Sequence, residues 1–493
     1  MNRSSMAQRQ ENVILFPFMA QGHLIPYLAL ALEIEKKLGY TVTFVNTPLN
    51  IQKLRPSLPP NTSIRLIELP FSSSDHNLPP NSENTDVLPY PLIIRLLESS
   101  LSLKPSFISL IHNLTHPPLC IIADMFFGWT VDIARDFGIF HSVFLSGGAY
   151  GMAIYYSIWL NQPQLKTDSD EFSLPDFPQI FRIHRSQLAN NAAEATGTDS
   201  WSVFYKTELA LTLKSDGFLI NTVEDLDLIG LDYFRRKTGK PVWAIGPVNY
   251  SLTYKARSNK VAGINPDLCI EWLDNHQEDS VLYISFGSQN TISSSQLMEL
   301  AIGLEKSGKN FIWVIRPPIG FDINGEIRSE WLPKGFEERM REKNRGLLVR
   351  KWAPQLEILS HKSTSVFLSH CGWNSILESL SFGVPIIGWP IAADQFNNVK
   401  LLEEEIRVCV EVARGNRSEI KHEDVMRVID LVMNNRKGKG EEMKKKACEV
   451  REMIKDAIKE DDEASFKGSS VKAMEEFFDK ALLMRKKTKM DDQ

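Results

Sequence analysis

The sequence predicts an α/β protein: two parallel, doubly wound sheets facing each other across a cleft. Three observations carry that expectation. Short apolar runs alternate with longer stretches of helical periodicity along almost the whole chain, the pattern of strands buried on both faces and joined by helices. A polar, aperiodic segment splits these runs into two series. The length, 493 residues, exceeds what one core ordinarily organises.

In chain order, the first series places strands at 13–17, 41–45, 64–69, 119–123, 142–145, 217–220 and 242–245. The opening stretch "NVILFPFMAQGHLIPYLALALEI" is apolar enough to suggest a signal peptide. Gln21, Gly22 and His23 interrupt it, Glu11 precedes it, and no small-residue cleavage site follows, so it reads as a strand, a loop and a helix from about Leu24. The segment "GPVNYSLTYKARSNKVAGINPD" is the expected linker,. The second series places strands at 281–285, 311–315, 346–349, 365–368, 385–388 and 408–410. From Ser469 a helix carries Val471, Met474, Phe477, Phe478, Ala481 and Leu482 on one side and needs a surface to cover,. The basic tail after it reads as a frayed, solvated terminus. The expected division is 1–248, a linker at 249–266, 267–468, and a terminal helix and tail at 469–493.

Composition narrows the function. Apolar content of 43% and charged content of 24% suit a soluble globular protein. A formal net charge of −5 gives no electrostatic case for nucleic acid or an anionic membrane, and no run reaches transmembrane length. Five scattered cysteines without a CxxC indicate a reducing, cytoplasmic setting and no disulfide framework.

The most informative stretch is "HCGWNSILESLSFGVP", residues 370–385. A helix starting directly after a buried strand aims its free N–H groups and positive dipole end at whatever lies above the strand. Gly372 admits close approach to the backbone, while His370, Asn374 and Ser375 add donors. Together they form a phosphate cradle made of dipoles rather than lysines. Glu378 shares the helix face of Asn374 and Ser375 and suits vicinal ribose hydroxyls. Upstream, Trp352 offers a flat face for a base, with Ala353 and Gln355 beside it. Downstream, Asp394 and Gln395 sit at a second strand tip, a carboxylate and an amide suited to sugar hydroxyls.

Residues 352–395, "WAPQLEILSHKSTSVFLSHCGWNSILESLSFGVPIIGWPIAADQ", resemble without a gap the signature box of plant UDP-dependent glycosyltransferases of secondary metabolism, glycosyltransferase family one. The resemblance extends to "FPFMAQGHLIP" and "SVLYISFGSQ", so it covers both halves. It implies the GT-B fold of two facing Rossmann-like domains, the first binding an acceptor and the second a UDP-sugar, with a C-terminal helix crossing back to the first. It implies that Trp352 stacks on uracil with Ala353 and Gln355 serving base and ribose, and that Glu378 holds the ribose. Ser288, His370, Asn374 and Ser375 would meet the diphosphate. Trp373, Asp394 and Gln395 would hold the sugar, helped by Ser146. The final Gln395 implies UDP-glucose as donor.

By the same resemblance His23, in the loop after the first strand, is the base that takes the acceptor's proton, and Asp124, at another strand tip, orients it. Asp124 also suits a helix N-cap. The implied reaction is metal-independent, inverting transfer to a hydroxyl, giving a β-glucoside with no cofactor beyond the donor. Phe126, Phe127, Tyr150 and Tyr155 belong to an aromatic cluster expected to line an acceptor pocket for a phenolic or terpenoid, with segments 71–88 and 161–200 as its rim. The expected partners are a UDP-sugar and a small acceptor, with no nucleic acid and no stable membrane insertion, and the chain is expected to be a monomer. The competing readings are a UDP-sugar binder without transferase activity, a different donor sugar, a different nucleotide, and N-, S- or C-linkage.

Three motifs are decoys. "GLEKSGKN" (303–310) nearly spells a P-loop but ends a helix and precedes a strand, the reverse of that motif's order. Asp225 and Asp227 form a DxD at a helix start, where acids are structural. No G-x-G-x-x-G supports a nicotinamide dehydrogenase.

Overall fold

The computed structural model describes residues 11–180, 182–248, 263–323, 325–416, 418–434, 438–461 and 466–491. Each expected apolar run forms a strand. The first half holds β1 (Asn12–Phe16), β2 (Thr41–Asn46), β3 (Arg65–Glu68), β4 (Cys120–Ala123) and β5 (Phe140–Leu145), then a two-stranded ribbon of β6 (Glu171–Phe172) and β7 (Ile183–His184), then β8 (Gly217–Ile220) and β9 (Val242–Ala244). The second holds β10 (Val281–Ser285), β11 (Asn310–Ile315), β12 (Gly346–Arg350), β13 (Thr364–Ser369), β14 (Ile386–Gly388) and β15 (Cys409–Glu411).

The strands assemble into a seven-stranded sheet, β3-β2-β1-β4-β5-β8-β9, and a six-stranded sheet, β12-β11-β10-β13-β14-β15. Every pairing within them is parallel. Strands β2, β4, β5, β8 and β10 are buried at every residue, as helix cover on both faces requires. One apolar cluster runs through both halves, joining Tyr150 and Ile154 to Trp373, Ile376 and Leu377.

The terminal helix, Ser469–Asp491, crosses back to the first sheet. Phe477 is fully buried with its ring against Phe140 and Trp243, beneath β5 and β9. Phe477→Ala is expected to cost about 3–5 kcal/mol, seen as an earlier urea midpoint; a loss below about 1 kcal/mol would show that the helix merely adheres. The tail does not fray where expected. The helix continues to Asp491, and Arg485 grips both carboxylate oxygens of Glu11.

Three further features differ from expectation. The first helix begins at Gln21, not Leu24. No side chain caps it, and Gly22 in its first turn mimics a loop signal. The ribbon β6–β7 and a second one, Glu460–Asp461 with Phe466–Lys467, are too short to show any periodicity. The expected linker falls mostly on 249–262, outside the described residues, and the helix Pro266–Asp274, capped by Asn265, occupies its end. Among the described residues no helix is long and apolar enough to cross a membrane.

Candidate functional site

Each sheet changes winding direction at one place: between β1 and β4 in the first, and between β10 and β13 in the second. Ligands of doubly wound sheets bind beyond the strand ends at such points. The candidate residues come from those four strand ends and from neighbouring loops of both sheets.

In the first sheet, Phe16 pairs with Ala123, which sets the residues following β1 and β4 side by side. Asp124, buried to 1% exposure, accepts backbone N–H bonds from Phe18 at 3.2 Å and Phe126 at 3.2 Å. Its Oδ2 lies 2.7 Å from Nδ1 of His23. A carboxylate can only accept, so Nδ1 carries the hydrogen, and Nε2 is left as the basic nitrogen. His23 stands on the first turn of the helix Gln21–Leu38, which corrects its expected place in a loop. Burial alone would lower its pKa, but the charge of Asp124, the hydrogen bond to it and the charge of Asp394 outweigh that and raise it. Asp124 pins the turn after β4 as well as the imidazole. The helix that follows begins only at Thr130, so its capping role is that of a turn rather than of that helix.

In the second sheet, Ser285 pairs with Ser369, which places the Ser288 loop beside His370. The helix Trp373–Ser381 starts at Gly372 with no side-chain cap, so its first N–H groups remain available to a ligand. A Cβ at Gly372 would stand 2.6 Å from Nε2 of His370, and one at Gly287 2.5 Å. Both glycines therefore make room for the imidazole, a packing reason beyond the backbone access expected of Gly372. Burial first, then the charge of Arg316, push the pKa of His370 down to about 4, so the ring is neutral at pH 7. Gln355 is a brace: its amide donates to Glu378 at 2.8 Å and Ser375 at 3.1 Å, and its carbonyl accepts from Tyr283 at 3.1 Å.

The two strand-tip groups meet in one cavity of ≈ 410 Å³, within the usual range for small-molecule sites. Its walls include His23, Phe126, Ser146, Tyr155, Ser288, Trp352, Ala353, Gln355, His370, Trp373, Asn374, Ser375, Glu378, Asp394 and Gln395. Hydrogen bonds span the cleft around it. Asn374 donates to the Gly22 carbonyl at 3.2 Å, Trp373 donates its indole N–H to the Asn221 carbonyl at 2.6 Å, and Gln289 donates to Thr85.

Several expected residues take other positions or have prior bonds. Asp124 itself does not line the cavity and acts on it through His23. Phe127 and Tyr150 lie outside the wall and are fully buried. Phe127 packs against Phe16 and Trp129, and Tyr150 faces Phe177. In the turn after β4 the adjacent Phe126 and Phe127 go one to the pocket and one to the core, and on the helix Ala149–Asn161 Tyr155 lines the pocket while Tyr150, five residues earlier, does not. The indole N–H of Trp373 is engaged by Asn221, so its side chain walls the site rather than donating to a sugar. Gln395 accepts from the N–H groups of Ile391 and Ala392, both at 2.9 Å, leaving its NH₂ as the free end. Asp227 of the DxD is structural, as expected, but it does not cap its own helix. It accepts from the N–H groups of Ala149 at 2.6 Å and Tyr150 at 2.8 Å, capping the neighbouring helix Ala149–Asn161.

One wall of the cavity is a row of rings, of which sequence reading named only Phe126 and His23. Tyr90, Trp201, Tyr205, Phe126 and His23 follow one another at centroid spacings of 5.9, 5.6, 5.6 and 5.5 Å, with interplanar angles of 23–39°. Ile93 and Leu97 contribute aliphatic lining.

Residues 258–453 match the family described as "UDP-glucoronosyl and UDP-glucosyl transferase". The chain is 48% identical to UDP-glycosyltransferase 92A1 of Arabidopsis thaliana, over 97% of this chain and 98% of the relative. It belongs to the plant UDP-dependent glycosyltransferases. Crocetin glucosyltransferase 3 of Crocus sativus is 42% identical over 94% of this chain and 98% of its own length. The structure of Glycyrrhiza uralensis UGT73P12, complexed with glycyrrhetinic acid 3-O-monoglucuronide, superposes with a TM-score of 0.82 at 29% identity, covering 98% of both chains. The fold is therefore GT-B, and this glycosyltransferase acts on small-molecule acceptors. Tyr90, Trp201 and Tyr205 of the glycosyltransferase carried no local motif. A signal existed only in their distribution: Tyr90 and Trp201 flank the two irregular rim segments.

Proposed function

We propose that the enzyme transfers glucose from UDP-glucose to a hydroxyl of a small, flat, lipophilic acceptor, with inversion to a β-glucoside and without a metal. The observation that carries this reading is the His23–Asp124 pair, held at 2.7 Å where the aromatic wall meets the nucleotide cradle. A protein that only bound UDP-sugars would have no use for a buried carboxylate orienting a histidine at that junction.

In this reading His23 Nε2 takes the acceptor's proton as its oxygen attacks the anomeric carbon. The bond from that carbon to the UDP oxygen breaks, and the charge growing on the departing diphosphate is met by the open N-terminus of the helix Trp373–Ser381 with Asn374 and Ser375. Trp352 stacks on uracil, and Glu378, held by Gln355, takes the ribose hydroxyls. Asp394 and the NH₂ of Gln395 take sugar hydroxyls. The relative named as a crocetin glucosyltransferase supports glucose as the donor sugar, and the row of rings supports a flat acceptor. Trp352→Ala is expected to weaken UDP by about 5–150-fold, the range of about 1–3 kcal/mol for losing a stacking platform. An unchanged Kd by calorimetry would remove Trp352 from the base site.

No organic cofactor is needed in this reading, and a monomer suffices because one chain supplies both walls of the cavity. Four of the five cysteines are buried and all are free, which supports a cytoplasmic location. The test is mass spectrometry of the purified protein with UDP-glucose, chelator and a mixed phenolic, terpenoid and sterol panel. Added hexose on an acceptor is expected. Turnover with UDP-galactose or UDP-xylose faster than with UDP-glucose would overturn the donor assignment.

A further inference from the structure

Among the described residues that line the cavity, Arg316 alone is a lysine or arginine. It follows the end of β11 and donates Nη1–H to the Ser288 carbonyl at 2.6 Å. That bond holds the guanidinium beside the β10–β13 switch point, close enough to His370 for its charge to help keep that ring neutral. No carboxylate of the described residues lies within 4 Å of it, while eleven of the other eighteen described arginines are paired with acids. Burial lowers its pKa, the mark of a cation removed from water without a counterion.

A half-buried cation of this kind carries a desolvation cost unless something anionic shares the site,. The neighbouring groups cannot supply the anion. His370 is neutral, and Gly287, Ser288 and Tyr283 carry no charge at pH 7. Two N–H-bearing edges of the guanidinium remain beyond the one fixed on Ser288, a geometry suited to a phosphate.

We propose that Arg316 is a donor-site residue that binds the diphosphate of the UDP-sugar and supplies the fixed positive charge that the helix dipole and neutral His370 do not. This rests on the reading of the cavity as a UDP-sugar site and extends it from a cradle of dipoles to one with a cation. The Ser288 loop then acts partly by aiming Arg316 through its carbonyl. The charge does the same for the leaving group, since diphosphate gains negative charge as the sugar departs.

The experiment compares UDP with uridine, which has the base and ribose but no phosphate. Calorimetry on Arg316→Gln is expected to show UDP weakened at least tenfold, with uridine within threefold of wild type. Arg316→Lys keeps the charge but loses the fork. It is expected to weaken UDP at least threefold with uridine again unchanged, and it serves if the glutamine variant does not fold. With UDP-glucose, kcat should fall along with the rise in KM, because the charge acts on the leaving group too. Equal weakening of UDP and uridine in either folded variant, or no weakening of UDP, would overturn the assignment. Wild-type protein that failed to bind UDP more tightly than uridine would instead overturn the underlying reading of the cavity.

Discussion

His23→Ala is expected to slow transfer by about 10²–10⁴-fold, the contribution of a well-placed general base, while UDP affinity stays within a few-fold of wild type. The separation follows from position. His23 stands on the first turn of the first domain's leading helix, at the end of the ring row, and the nucleotide groups come from the other sheet. A hydrogen bond from that turn to the cradle uses the Gly22 carbonyl, which accepts from Asn374 and survives the substitution. Single-turnover rates with bound UDP-glucose, alongside calorimetry with UDP, would measure the two quantities separately. Equal loss of both would make His23 a structural residue and remove the base from the account.

Asp124→Asn has the second large effect, about 10²–10⁴-fold on kcat, with a characteristic pH signature. Phe18 and Phe126 donate to different oxygens of Asp124, so asparagine, with one carbonyl oxygen, can keep only one of those backbone bonds. It cannot enforce the Nδ1–H tautomer, and it carries no charge. In the wild type, burial opposes protonation of His23, but the Asp124 charge and hydrogen bond prevail and raise the pKa. The neutral imidazole is the active form, so wild-type kcat/KM should fall as pH drops through a value above the ordinary 6.5 of histidine. In Asp124→Asn the burial remains and those two raising causes vanish, so the acid limb should move to lower pH. A pH profile whose acid limb does not move would mean that the pair does not set the protonation of the base.

Much of the fold was legible because its strands are buried on both faces. Thirteen apolar runs stand out against helical periodicity whatever their neighbours, and each is a strand of one of the two sheets. Strand order was not legible. Nothing local in "FPFMAQGHL" or "LCIIADMF" says that β1 and β4 are adjacent, yet that adjacency is what brings His23 to Asp124. The half of the cavity proposed for the nucleotide was readable because its groups lie in one contiguous box, where a strand tip, a glycine and a helix start follow directly. The acceptor half was not. Its rings come from four separate segments, and within an aromatic-rich stretch such as "MFFGW" or "AYGMAIYYSIW" the sequence does not say which ring faces the pocket. Phe126 and Tyr155 do, whereas Phe127 and Tyr150 face the core. Arg316 escaped for another reason: an arginine after a strand looks like an ordinary surface residue until its missing carboxylate and its place in the cavity are seen.

The cross-cleft bonds also bear on how the two halves cooperate. Trp373, at the start of the cradle helix, is fixed to Asn221 of the first domain at 2.6 Å, and Asn221 also donates weakly toward Asn374 and the Ser146 carbonyl, each at 3.5 Å. The groups assigned to diphosphate and sugar are therefore registered against the domain that carries His23. Holding reacting groups in register in this way is how a cleft enzyme turns a bimolecular encounter into an oriented one.

The central claim is that His23 activates an acceptor for direct displacement at the anomeric carbon of UDP-glucose. The measurement that tests it most directly is proton NMR of the anomeric centre in the glucoside formed from UDP-glucose, whose own linkage is α, with chelator present. A β-glucoside formed at the undiminished rate is the predicted result. An α-glucoside, or a reaction that stops when chelator is added, would contradict it.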